Sequence, residues 1–324
     1  MNENKDNPTP KLSIIRLEEL RGTWLNTLQL SQLSVDIYTS ATKQFLVWLK
    51  ENNIEKIGND EILKYKEHLS EESSKKPTTV KLYIVAVRQF FKWMEAEKHT
   101  ENMARNVHVP KTEELSKRDY LTQEQVKAVL DKIPRVKEAD LRDYAMLLLM
   151  VVCGLRRIEI CRADAEDFRE EGGGRRLYIQ GAGKTGKDDY IDIPKPIEQA
   201  VLEYLSVRNK RLTLSRRPSP GPPTPLFTSI SNNSAGERVS VRCVTGIVKQ
   251  RLRDAGFKND RQCTHCLRQT AVSLAILAGR PLQEVQRFAR HTTIATTMLY
   301  AKDTDNNKTG ADACVQAVAG EIFG

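Results

Sequence analysis

Thr264-His265-Cys266-Leu267-Arg268-Gln269-Thr270, followed by Val272, Leu274, Ala275 and Leu277, is the stretch whose reading decides the fold. Its histidine and arginine stand three apart ahead of an apolar run, which puts both on one face of a helix. An arginine fork matches two oxygens of a phosphate, and an adjacent imidazole can donate a hydrogen bond or move a proton near neutral pH. By itself the pattern also fits a solvated helix face.

Working outward, Leu147 to Val152 forms an apolar helical run that ends at Cys153-Gly154-Leu155-Arg156-Arg157-Ile158-Glu159. A charged side chain in that position is either a snorkelling arginine or one held for an anion. Between the two segments, Arg176-Leu177-Tyr178-Ile179 and Tyr190-Ile191-Asp192-Ile193 alternate about a glycine-rich turn, predicting a β-hairpin with Lys184 near its tip. Gly183-Lys184-Thr185 is not a P-loop: no strand-loop-helix order surrounds it, and the first glycine is misplaced. Downstream, His291 precedes Tyr300 by nine positions.

Together these segments resemble the tyrosine recombinases of the phage integrase and Xer superfamily. Gly154-Leu155-Arg156-Arg157-Ile158-Glu159 is similar to that family's Gly-Leu-Arg-x-x-Glu box, and Gly183-Lys184 with Lys187 to its hairpin lysine. His265-x-x-Arg268 resembles its most recognisable motif, and His291 to Tyr300 has its spacing. Two positions depart from the pattern: Gln269 stands where many relatives carry another histidine, and Arg290 precedes His291 where a glycine is usual.

The resemblance implies a mainly α fold with a small antiparallel sheet (α+β). An N-terminal helical SAM-like core-binding domain and a tyrosine-recombinase catalytic domain would close as a C-shaped DNA clamp. It further implies a site-specific recombinase working through a 3′-phosphotyrosyl intermediate and a Holliday junction, for integration or excision of a mobile element or for Xer-like resolution.

Elementary chemistry agrees. A phosphodiester attacked by a tyrosine passes through a crowded, highly charged state, which fixed cations aimed at its oxygens stabilise. Arg156 and Arg268 are expected to clamp the non-bridging oxygens while Tyr300 attacks in line, leaving a free 5′-hydroxyl. The phenol needs a base and the leaving oxygen an acid. His265 is assigned as base, Lys184 as general acid with Lys187, also expected at DNA, as its alternative, and His291 as hydrogen-bond donor to the phosphate. Neither metal nor other cofactor is required by this scheme. Two other readings stay open: a type IB topoisomerase with a similar pocket, and a noncatalytic DNA-binding regulator.

The chain of 324 residues carries a formal charge of +9, with a pI near 9.2, which implies salt-sensitive attraction to polyanions. Its length suits two domains. No apolar stretch is long enough to span a bilayer and no signal-peptide core is visible, so a cytoplasmic protein without a membrane partner is expected. The six cysteines are read as buried and reduced, because Cys263-Thr264-His265-Cys266 lacks a second ligand pair for zinc.

Residues 1–13 are expected to be disordered, 14–108 to form the core-binding domain and 109–119 the linker. The catalytic domain is assigned to 120–309, opened by a capping box of Thr122 and Gln125. In the first domain, Ile37, Ala41, Phe45, Trp48 and Leu49 share one helical face, and Ile84, Val87, Phe91 and Met94 another. Opposite the second stripe, Lys81, Arg88 and Lys92 form a row that by itself suits solvent as well as DNA and, beside a phosphate-handling domain, is read as facing DNA. Thr78 and Thr79 lie near that helix's N-terminus, a place for backbone phosphates.

Further cations, Arg208, Lys210, Arg211, Arg242, Lys249, Arg251 and Arg253, cluster in the second domain, and about half of them, Arg242 included, are expected to approach phosphate. Arg216 to Pro223 is read as a proline-rich surface loop. Residues 310–324 are read as a C-terminal helix docking on a neighbouring protomer. The expected partners are a specific double-stranded DNA site, further copies of the chain in a tetrameric synapse, and accessory or directionality proteins.

Overall fold

Apolar periodicity builds the first unit, Met1–Ser116. The structure is a computed structural model that describes residues 13–71, 75–109, 120–181, 183–214, 223–258 and 264–305. Four helices form this unit: α1 (Ile14–Thr27), α2 (Gln32–Glu51), α3 (Asn59–Glu71) and α4 (Pro77–Ala96). Both expected stripes, on α2 and α4, face inward, and α1 adds Leu17, Leu20 and Trp24 to the same core. Tyr65 is fully buried between Phe45 and Trp48, with ring centroids 5.0 and 5.3 Å away, so it packs rather than stacks on bases. Burial raises its phenol above the ordinary range.

One boundary differs from expectation. Ser13 accepts a hydrogen bond from the Arg16 amide and caps α1, so it belongs to the fold rather than to a disordered terminus. Pro77 occupies the first turn of α4, which needs no amide donor there, so Thr78 and Thr79 lie at the helix N-terminus as expected.

The second unit, Lys117–Gly324, begins as the capping box predicts. The Thr122 hydroxyl accepts from the Gln125 amide, and the Gln125 side chain accepts from the Thr122 amide, opening α5 (Gln123–Asp131). Next come α6 (Glu138–Val151) and α7 (Arg157–Arg162), then strands β1 (Phe168–Glu171), β2 (Gly174–Ile179) and β3 (Asp189–Ile193). They are followed by α8 (Lys195–Leu214), α9 (Val241–Asp254), α10 (Thr264–Leu277), α11 (Leu282–Ala289) and α12 (Ile294–Asp305).

The strands form an antiparallel meander in the order β1-β2-β3, with Tyr178 opposite Tyr190. β2 and β3 are the expected hairpin. β1 went unread because its Arg169, Glu170 and Glu171 are exposed and carry no apolar alternation. α6 is buried from Ala145 to Val151 and forms one core with Leu177, Val201, Tyr204, Val248 and Leu267. The Leu121 amide donates to Thr270 Oγ1 at 2.9 Å, which pins the start of the unit to α10.

Of the seven clustered cations, about half of them expected at phosphate, three are consumed inside this unit. Arg208 is buried and donates to the carbonyls of Pro225 and Leu226. Arg211 forks onto Glu138, and Arg251 bridges Asp140 and Asp143. Which cations are consumed is not legible along the sequence, because an arginine and its acid can be far apart in the chain.

Cys153, Cys161 and Cys266 are buried and Cys243 is half-buried, all four as free thiols. Burial pushes Cys153 to about 12 and Cys161 to about 11. Among the described residues no helix is long and apolar enough to cross a membrane. The expectations for residues 1–12, for 110–119 of the linker, for Cys263 and Cys314, for 216–222 of the proline-rich loop and for the C-terminal helix fall outside the described residues.

Candidate active site

Gly154 turns the chain out of α6 with φ +61°, a left-handed backbone that favours glycine. A Cβ there would lie 3.1 Å from Phe288 Cζ. Gly154→Ala is therefore expected to cost about 1–3 kcal/mol, read as a lower urea midpoint. The turn delivers Arg156 to the N-cap of α7. There Glu159 closes a capping box, accepting from the Arg156 amide at 2.7 Å and from Arg156 Nη1 at 2.9 Å.

Arg268 reaches the same place from α10. It is buried and donates to the carbonyls of Gly154 and Ala289. Burial first, then the like charges of Arg156 and Arg290, lowers its pKa to about 10, with Glu159 and Tyr300 opposing. It therefore stays protonated at neutral pH while disfavoured, a state that an added anion would relieve. Arg156 Nη2 also bonds the Arg290 carbonyl at 3.0 Å, so both arginines grip the segment just before His291.

Tyr300 comes from α12. It is 4% exposed and packs with Val272, Val285 and Ala289. Its ring stacks on His291 at 5.7 Å between centroids, and His291 Nδ1 lies 3.0 Å from Thr297 Oγ1. The fold thus gathers Arg156, Arg268, His291 and Tyr300. His265, one turn before Arg268, is exposed on α10.

Lys184 lies in the β2–β3 turn, 46% exposed and paired with Asp189 at 2.6 Å. Gln180 Nε2 fixes that turn by donating to the Lys184 and Thr185 carbonyls. Asp189 and Arg290 line one cleft of about 290 Å³ between β3 and the end of α11.

Lys187 requires a correction. Expected at DNA and as an alternative acid, it is instead bonded to the buried carboxylates of Asp164 and Asp167. Burial lowers its pKa, but the two carboxylates outweigh burial and leave it raised, the wrong direction for a general acid near neutral pH.

Sequence reading named Glu159 within a motif without giving it a role. Its capping spacing from Arg156 was the available signal, whereas its bond to Arg290 Nη2 at 2.9 Å carried none. Among the described residues no group of three or more His, Cys, Asp or Glu is placed to hold a metal ion.

On the first unit, Thr78, Lys81 and Lys92 are exposed and Thr79 and Arg88 partly so. Arg88 and Lys92 line a small polar cleft with Asn102. Arg242 is exposed on α9.

The phage integrase family model matches residues 119–307. The chain belongs to the phage integrase family. A model of the phage integrase N-terminal SAM-like domain matches residues 18–105 of this integrase. The integrase is 30% identical over 226 residues to the tyrosine recombinase XerA of Pyrococcus furiosus, covering 70% of each chain. It is 27% identical over 259 residues to a tyrosine recombinase XerC of Caldanaerobacter subterraneus subsp. tengcongensis, covering 78% of this chain and 67% of that one.

In fold, the integrase matches a XerH site-specific recombinase in a post-cleavage complex with palindromic difH substrate. The TM-score is 0.69 at 19% identity, over 94% of this chain and 85% of that one. It also matches a lambda integrase dimer bound to a COC′ core site, with TM-score 0.66 at 17% identity over 90% and 96% of the two chains. The integrase is thus a tyrosine recombinase, an enzyme of DNA strand breakage and rejoining, with a SAM-like domain ahead of a mainly helical catalytic domain.

Proposed function

We propose that Tyr300 is the nucleophile of site-specific recombination, that Arg156 and Arg268 clamp the scissile phosphate, and that His291 donates to it. The carrying observation is the meeting of these four side chains around the Gly154 to Glu159 turn and the Ala289–Arg290 carbonyls. Attack forms a 3′-phosphotyrosyl ester and releases a 5′-hydroxyl. The ester conserves the bond energy, so the 5′-hydroxyl of a second strand can displace Tyr300 without ATP.

Lys184 is assigned as the acid for the leaving oxygen and His265 as the base. Lys184 must exchange Asp189 for DNA. That pair is about half exposed on each side, and such pairs contribute little, so the exchange is cheap. Tyr300 is buried in this state, so attack requires α12 to shift and present the hydroxyl.

The substrate is assigned as double-stranded DNA, bound by copies of the chain that assemble as a tetramer. A lambda integrase of like fold forms a tetramer on a Holliday junction. The C-terminal residues 310–324 are assigned to docking between protomers, and accessory or directionality proteins are compatible with this scheme. Integration or excision of a mobile element and Xer-like resolution are the biological readings.

Mapping covalent cleavage on DNA flanking the gene tests the function. A pair of discrete cuts several base pairs apart, with protein on each 3′ end, is expected. Supercoil relaxation without such cuts would make the chain a topoisomerase instead.

On the first unit, Lys81, Arg88, Lys92 and the α4 N-terminus at Thr78 and Thr79 are assigned to the phosphate backbone, as is Arg242 on the second. Arg88→Ala or Lys92→Ala should each flatten the slope of log affinity against log salt by about one, with little change in site preference. An unchanged slope in fluorescence anisotropy titrations would remove these residues from the DNA interface.

A further inference from the structure

We propose that Arg290 is a positioning residue for the recombinase reaction, sharing the Glu159 carboxylate with Arg156 and the Gly154 carbonyl with Arg268, so that it holds both phosphate-directed arginines in register. This rests on the phosphate-clamp reading of those two arginines.

Arg290 occupies the C-cap of α11 with φ 51° and ψ 45°, the left-handed region, where a side chain beyond glycine is strained. Its Nε is buried and finds no hydrogen-bond partner among the described residues, a second unfavourable feature that glycine would not have.

Against these stand the links its guanidinium makes. Nη2 donates to Gly154 O at 3.0 Å and to Glu159 Oε2 at 2.9 Å, and Nη1 donates to Phe288 O at 3.0 Å. Glu159 is fully buried. Its Oε1 takes Arg156 Nη1, and its Oε2 takes both the Arg156 amide and Arg290 Nη2.

Arg290 therefore grips Arg156 twice, through this carboxylate and through its own carbonyl. The Gly154 carbonyl it bonds is the one that Arg268 Nη1 bonds. Three guanidiniums gathered about the single Glu159 carboxylate, two of them bonded to it, also leave the pocket cationic, which suits a phosphate.

The test uses the full chain and a nicked suicide duplex carrying the mapped site. Arg290→Gly removes the guanidinium and relieves the backbone. A purely structural role predicts an unchanged rate with an unchanged or higher melting temperature. Positioning predicts that single-turnover cleavage falls about tenfold or more, the worth of one hydrogen bond to a charged group. DNA affinity should stay within about twofold and the melting temperature should not fall. Arg290→Lys should recover part of the rate, because an ammonium can reach Glu159 but cannot fork.

Cleavage at the wild-type rate in Arg290→Gly overturns the proposal. So does a rate loss matched by an equal loss of affinity or of thermal stability. If the wild-type chain forms no adduct at all, the phosphate-clamp reading fails first. The Arg290 links are then read by nitrogen NMR of the guanidinium groups. Arg156 and Arg268 Nη–H signals protected from solvent exchange in wild type and unprotected in Arg290→Gly would support it, and equal protection in both would overturn it.

Discussion

Tyr300→Phe should lower covalent capture of a nicked suicide substrate to background, a loss on the order of 10⁶ when a nucleophile is removed, while DNA binding persists. The substitution deletes one oxygen. The ring that stacks on His291 and packs against Val272, Val285 and Ala289 stays in place, so this packing is kept. That separation makes the experiment decisive. Adduct on a denaturing gel from the phenylalanine variant would assign the nucleophile elsewhere, and loss of DNA binding in parallel would point to damage of the domain.

Glu159→Ala should produce the largest fall in stability. Its carboxylate is fully buried and receives two guanidiniums and the Arg156 amide. Removing one partner of a buried ion pair leaves uncompensated charge and costs about 3–5 kcal/mol. For a unit of this size that amounts to a fall in melting temperature of roughly 10 °C. Cleavage should fail even below that temperature, because Arg156 loses the acceptor that sets its fork. A melting temperature within about 2 °C of wild type would mean that water or another acid replaces the carboxylate, and that the network is weaker than its geometry implies.

Much of the fold was legible because it is locally encoded. The stripes of α2 and α4 follow the 3.6-residue period, the Thr122–Gln125 box marks the start of α5, and alternation marks β2 and β3. β1 and α1 were less legible. The first is short and polar on its exposed positions, and the second draws only Leu17, Leu20 and Trp24 into the core. The candidate chemistry is legible as residue types at set spacings, which is why Arg156, Arg268, His291 and Tyr300 stand out in the sequence.

What the sequence by itself determined is therefore the family, the residue types at its motif spacings, and the helices and hairpin that carry them. Each of these depends on neighbours within a turn or two, and such relations repeat with a fixed period. The tertiary structure alone decided which charges are free. Lys187 is claimed by Asp164 and Asp167, Arg251 by Asp140 and Asp143, and Arg290, an apparent irregularity, meets Glu159 across 131 positions. A charge's partner is set by where the folded backbone brings distant segments together, and burial then decides whether that pairing holds the charge in place. No local pattern contains either quantity.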